Sequence, residues 1–416
     1  MIKYKEYILD NGLSLIVHED KNTPMAVFNL LYDVGSRDED PENTGFAHLF
    51  EHLMFQGSKN VISFDKAVHD AGGTNNAFTS RDITNYYITL PAQNIETAFW
   101  VESDRMRFLN INEKALEVQQ KVVSEEYRQS YLNNPYDDSS LLLSPLAYKV
   151  HPYRWNPIGM DISHIENSNL EHVKSFYNLH YRPNRAVLTV AGNVDAEHIY
   201  KLTQKWFGDF EPNFDYQRNL PQEPKQTQKR TQVVDRDVPQ KAIYMALHMS
   251  SRTSPDYYAY DILSGILSNG ESSRLYSKLY KELNLFENIS TSMSRATDPG
   301  LFYINGRLSK DISLEQGLEA IGNELKNLTK NGLEKDELTK VINKVNSVLL
   351  YSNMNLLNKA MNLSYSKSIG NIDLINTEAE MYKSVSEDKI IEVAQNLFSE
   401  EKFNILLYNN EKALNS

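Results

Sequence analysis

The chain of 416 residues contains no cysteine, which excludes disulfides, thiolate nucleophiles and cysteine-ligated zinc or iron–sulfur centres. It has no uninterrupted apolar run long enough for an ordinary transmembrane helix. Basic residues are in the minority, 43 Lys and Arg against 55 Asp and Glu, and the formal charge of −12 opposes general affinity for nucleic acid. No ladder of Arg, Lys and aromatic residues offsets it. Residues 1–12 alternate apolar and charged positions without a secretory apolar core. The expectation for the sequence as written is cytoplasmic residence, or a periplasmic or exported protein if an N-terminal signal has been removed. What remains, 41% hydrophobic and 24% charged residues, is the composition of a folded chain, and its length favours two units of roughly 200 residues each.

Local patterns sketch a mixed α and β protein. Tyr4–Leu9 and Leu13–His18 read as a hairpin around Asn11-Gly12, a dipeptide suited to the positive backbone angles of a tight turn. Met25–Tyr32 is apolar and β-prone, and residues 84–90 alternate before Pro91, which predicts an exposed edge strand able to pair with a peptide backbone. Helices are predicted over residues 63–71, 95–108, 113–131, 170–179 and 196–207, and a strand over 186–191. The polar stretch Glu211–Arg230, with three prolines, reads as a solvated connection. Beyond it, strands at 242–249, 289–295 and 301–308 and helices at 256–267, 272–283, 314–328 and 334–351 follow in an order resembling the first half. We therefore expect a diverged duplication with an α+β fold.

The chemistry concentrates in Thr44–Met54, which contains His48-Leu-Phe-Glu51-His52. On one helix, His48 and His52 share a face and Glu51 lies beside them. Two imidazoles at this spacing can hold zinc, leaving a carboxylate free to act as general base. The order His-x-x-Glu-His is that of the inverzincins. A hydrolase site needs a third protein ligand, and Glu125 or Glu126 on the valine-rich helix can supply it. Adjacent positions are not separated without the phase of that helix.

The segment Gly45–Ser58, with Asn76-Ala-Phe-Thr79 and Val122-Val-Ser-Glu-Glu-Tyr127, resembles the M16 zinc metallopeptidases: pitrilysin, insulin-degrading enzyme and the mitochondrial processing peptidase. His151-Pro-Tyr, Tyr181-Arg-Pro-Asn184, Val190-Ala-Gly-Asn193 and Ser272-Ser-Arg-Leu-Tyr276 extend the likeness across nearly the whole chain. The length resembles the compact bacterial M16B-like subgroup.

The resemblance implies two homologous α+β domains, LuxS- and processing-peptidase-like, each a mainly antiparallel sheet packed with helices. They would comprise an N-terminal catalytic domain at 1–212, a linker at 213–230 and a noncatalytic C-terminal domain at 231–416. It implies one Zn2+ per chain held by His48, His52 and Glu126, with Glu51 as catalytic base. Gln119 stands where many members carry a supporting Glu, so the zinc surroundings would lack one negative charge. Asn76, Ala77 and Thr79 match a substrate-binding edge. Tyr244 resembles a carbonyl-stabilising tyrosine, and Arg274 and Tyr276 fall in a landmark that could touch substrate. The second half lacks the motif: residues 257–267 have no His-x-x-Glu-His, and Asn343-Lys-Val-Asn-Ser347 replaces the glutamate region. The implied activity is hydrolysis of unfolded peptides in an enclosed chamber, formed as a homodimer or with another M16-like subunit. The competing expectation is a noncatalytic or weakly active binding or assembly subunit of a paired peptidase.

Overall fold

The computed structural model describes residues 1–410. The first half contains β1 (Lys5–Ile8), β2 (Ser14–Glu19), β3 (Met25–Tyr32), α1 (Phe46–Leu53), α2 (Phe64–Asp70), β4 (Thr74–Thr79), β5 (Thr84–Pro91), α3 (Ile95–Phe108), α4 (Glu113–Tyr131), α5 (Ser139–Ala147), α6 (Ile162–Glu166), α7 (Leu170–His180), β6 (Ala186–Gly192) and α8 (Ala196–Phe207). The second contains β7 (Arg230–Asp235), β8 (Ala242–His248), α9 (Tyr257–Ser268), β9 (Phe286–Met293), β10 (Leu301–Leu308), α10 (Leu314–Asn331), α11 (Glu337–Ser352), α12 (Leu356–Ser368), α13 (Leu374–Lys383), α14 (Glu387–Leu397) and β11 (Phe403–Asn409).

Strands β1–β6 form one sheet in the order β1-β2-β6-β3-β5-β4, and β7–β11 a second in the order β7-β11-β8-β10-β9. Among the described residues, only β2–β6 and β7–β11 are parallel pairs. The order places β4 at the edge of the first sheet and β5 inside it, so residues 84–90 are not the exposed edge that their alternation suggested. Pro91 is tolerated because it is the last residue of its strand, opposite Met25 at the start of β3.

Each sheet belongs to a compact unit that borrows from the other half of the sequence. The first unit is Met1–Tyr127, Trp155–Leu220 and Leu349–Thr377; the second is Arg128–Arg154, Pro221–Val348 and the chain from Glu378 onward. In the first unit β3 and β6 are buried along almost their whole length, as expected for strands covered on both faces. Phe28 points to one face, 5.0 Å from the ring of Phe99 on α3 and 6.4 Å from that of Phe207 on α8. Its neighbour Val27 points to the other, packing with Ala191 and with Ala360 of α12. Polar groups beneath α12 are satisfied: Asn29 donates to Asn85 at 3.0 Å and to Ser364 at 2.8 Å, and Ser364 donates to Thr189. In the second unit Leu143 and Ala147 of α5 pack with Ala242, Ala246, Leu406 and Tyr408.

The stretch read as a solvated connection is irregular but tethered. Arg218 donates to Asp38 at 2.7 Å and to Asp33 at 2.9 Å, and Glu223 accepts the backbone N–H groups of residues 149–151. Most of its side chains are nevertheless exposed, as expected of a solvated connection, with Arg218 and Glu223 as its tethers. The predicted helix at 272–283 has π-type geometry over Tyr276–Glu282.

Candidate metal centre

Helix α1 starts where the backbone turns sharply. Gly45 has φ 91° and sits against Ile158 and Ile165, where an added Cβ would lie 2.7 Å from Ile165. The first-turn N–H groups of Gly45 and Ala47 donate to the buried Glu39 carboxylate at 2.9 and 2.8 Å, supplying the partner that an N-terminal turn lacks. Burial pushes the Glu39 carboxyl up, against those two bonds. One face of α1 buries Phe46, Leu49, Phe50 and Leu53, with the Phe50 ring 5.3 Å from Phe176 and 5.4 Å from Tyr181. The remaining face carries His48, Glu51 and His52, only partly covered.

Glu126 of α4 completes the group. Its Oε1 lies 3.6 Å from His48 Nε2 and its Oε2 3.3 Å from His52 Nε2, and the three donor atoms all lie within 4.8 Å of one another. Bonds of about 2.0–2.1 Å to a tetrahedral zinc imply ligand–ligand edges of about 3.3–3.4 Å; the two separations, each to a different Glu126 oxygen, lie close to that length. Burial lowers the His48 pKa to about 4, against the pull of Glu126, which leaves a neutral imidazole at pH 7. The hydrogen bond with His52 holds the Glu126 carboxyl below its usual range. Metal and proton would compete for the same lone pairs. His48 Nδ1 is buried and has no hydrogen-bond partner among the described residues.

Glu51 stays outside the donor trio. Its Oε2 accepts a 2.6 Å hydrogen bond from the Thr79 hydroxyl of β4. Burial raises its pKa, and the Thr79 bond pulls in the opposite direction. A carboxylate beside two histidines, oriented but unspent on the metal, can take a proton from water.

Comparison with known proteins identifies the family. Residues 15–148 match the family described as insulinase (peptidase family M16), and residues 167–345 the peptidase M16 inactive domain. The zinc protease PqqE of Helicobacter pylori is 32% identical over 82% of this chain and 78% of that protein. The chain belongs to peptidase family M16. A probable mitochondrial-processing peptidase subunit beta of Schizosaccharomyces pombe is 28% identical over 73% of this chain and 69% of its own. The crystal structure of a protease from Helicobacter pylori superposes with TM-score 0.92 at 27% identity, covering 98% of this chain and 100% of that one.

Within the M16 frame, the sequence-predicted residues fall into distinct settings. The phase of α4 turns Glu126 toward the histidines, and the exposed Glu125 is not part of the cluster. Gln119 is buried on α4 and makes no hydrogen bond to either histidine. Asn76, Ala77 and Thr79 lie on the edge strand β4, where Asn76 is exposed and its Oδ1 accepts the Ala77 N–H at 2.8 Å. Tyr244 lies on β8 of the second unit, half-buried, with its ring 5.5 Å from Tyr408; burial pushes its phenol up to about 12. Arg274 is spent on a buried ion pair with Glu337 at 2.6 Å and on the Gly332 carbonyl at 2.9 Å. Tyr276 packs on Tyr280 with ring centroids 4.8 Å apart.

The second M16 half has no comparable donor group among the described residues. Helix α9 carries Ser264 and Ser268, whose hydroxyls close on Thr291 at 3.0 and 2.7 Å, and Lys344 of α11 donates to Asn269. Sequence patterns missed Glu39 altogether: an acid seven residues before a helix is not a recognisable cap. They also missed Arg105, buried between Phe64 and Tyr86 at 4.3 and 4.2 Å and paired with the buried Glu102 at 2.6 Å. The pair lies within α3, and the Arg105 contacts with the two rings join that helix to α2 and β5.

Proposed function

We propose that this chain is a zinc-dependent endopeptidase acting on unfolded peptides or small polypeptides, with His48, His52 and Glu126 as ligands of one zinc ion and Glu51 as general base. The observation that carries the proposal is the 3.3 and 3.6 Å spacing of Glu126 from the two histidines, with Glu51 left out of the trio. Zinc bound there would polarise the scissile carbonyl and ease deprotonation of water. Glu51 takes the proton of the attacking water and returns it to the leaving amine. The Thr79 hydroxyl fixes the Oε2 oxygen of Glu51. The edge strand β4 offers backbone groups along Asn76, Ala77 and Thr79 with which an extended peptide can pair. Such pairing selects for unfolded chain, because a peptide already in a sheet or helix has spent its backbone donors.

The contiguous division at 1–212, 213–230 and 231–416 assigns the chemistry to the first half and a supporting role to the second. Three relatives are named as processing-peptidase subunits, which supports pairing of this chain with itself or with another M16-like chain. Metal titration tests the proposal. Stripped protein should take up one zinc per chain and regain cleavage of an unstructured peptide in proportion. A Glu126→Gln variant should bind zinc at least tenfold more weakly. Uptake of zinc without any cleavage of varied peptides would favour the noncatalytic-subunit reading.

A further inference from the structure

The second unit contains a cavity of about 410 Å³ between α10, the end of α14 and its sheet, within the size range of small-molecule pockets. Its floor is apolar: Met245 and Ile405 from the sheet, Ile321 and Leu325 from α10, and Phe398 and Phe403 from the chain around the end of α14. The space exists partly because α10 presents Gly322 to it, where an added Cβ would meet nothing within 4 Å. Glycine within a helix sacrifices helix propensity, and here it leaves an apolar volume unfilled. The rim is cationic. Lys229 and Lys326 are both exposed, and neither forms an ion pair with a described residue. One carboxylate, Glu400, shares the rim, so two ammonium groups face a single negative charge in a chain whose formal charge is −12.

We propose that this cavity binds a carboxylate carrying an unbranched alkyl chain of medium length. The tail would lie along α10 past Gly322 over the Met245 and Ile405 floor, and the carboxylate would sit between Lys229 and Lys326. Burial of the tail supplies affinity through apolar area removed from water. The two ammonium groups select an anionic head over a neutral one. This site is independent of the His48/His52/Glu126 chemistry and stands or falls separately from it.

Decanoate titrated into the full chain, followed by calorimetry, tests the assignment, with decan-1-ol as the neutral probe. Saturable binding of one decanoate per chain is expected, at least tenfold weaker in Gly322→Trp, which fills the cavity, and at least tenfold weaker in the double variant Lys229→Glu, Lys326→Glu. Decan-1-ol should bind at least tenfold more weakly than decanoate. Absence of saturable binding below about 1 mM, unchanged binding in Gly322→Trp, or equal binding of the alcohol would each overturn the proposal. The lysine substitutions lie at exposed positions and keep the test decisive should the Gly322→Trp change perturb α10.

Discussion

Replacing Thr79 with Val removes one hydroxyl and preserves the β-branched shape that suits β4. The lost bond is the 2.6 Å contact from Thr79 to Glu51 Oε2. A hydrogen bond to a charged group contributes about 1.5–3 kcal/mol, which converts to about 10- to 150-fold in rate. Glu51 is only partly buried, so water replaces some of the loss, and we expect a fall in kcat of about tenfold. The pH dependence has a definite sign. The Thr79 bond lowers the Glu51 pKa while burial raises it, so removing the bond moves the acid limb of the rate profile to higher pH. The assay is cleavage of a quenched unstructured peptide across pH at matched zinc content, with Thr79→Ser as the restoring variant. A Thr79 that only contacts substrate predicts the opposite division: KM rises while kcat and the acid limb stay put. That outcome would refute the positioning of Glu51 by Thr79.

Acid should weaken the first unit through His180. Burial lowers its pKa to about 3, and its Nδ1 accepts a 2.8 Å hydrogen bond from Arg185, so the folded state resists its protonation. The unfolded chain binds that proton below about pH 6.5; stability is therefore intact above this pH and is lost as pH falls toward 3. The loss is about 2 kcal/mol at pH 5, and the fall in stability between pH 7 and 5, read from denaturant midpoints, should be smaller by that amount in His180→Gln than in wild type, with the buried His48 contributing to both. Arg274→Ala should cost about 3–5 kcal/mol, because it leaves Glu337 as an uncompensated buried charge. A variant of unchanged stability but raised KM would instead restore Arg274 as a substrate contact.

Elements whose determinants are local were legible in the sequence. The bounds of α4, α8 and β10 coincide with the apolar periodicity and punctuation of their own residues, and the histidine pair follows from helical spacing alone. Features that depend on distant partners were not. The cover of the first sheet includes α12, some 330 residues from β3, and α5 joins the second sheet; no local pattern names those partners. The edge was assigned to residues 84–90 because alternation marks a strand without stating its neighbours, whereas strand pairing makes β4 the edge. Choosing Glu126 over Glu125 by residues alone required the phase of α4. The Thr79 bond to Glu51 required strand register, and Glu39 reaches the first turn of α1 from a loop with no periodic signal.

The central claim is that Glu51 performs proton transfer beside a metal it does not ligate. The direct measurement compares wild type with Glu51→Gln, recording zinc per chain and peptide-cleavage rate on the same preparations. We predict equal zinc occupancy, near one per chain, and a rate reduced by about 10²- to 10⁴-fold. Equal rates at equal zinc content would contradict the account.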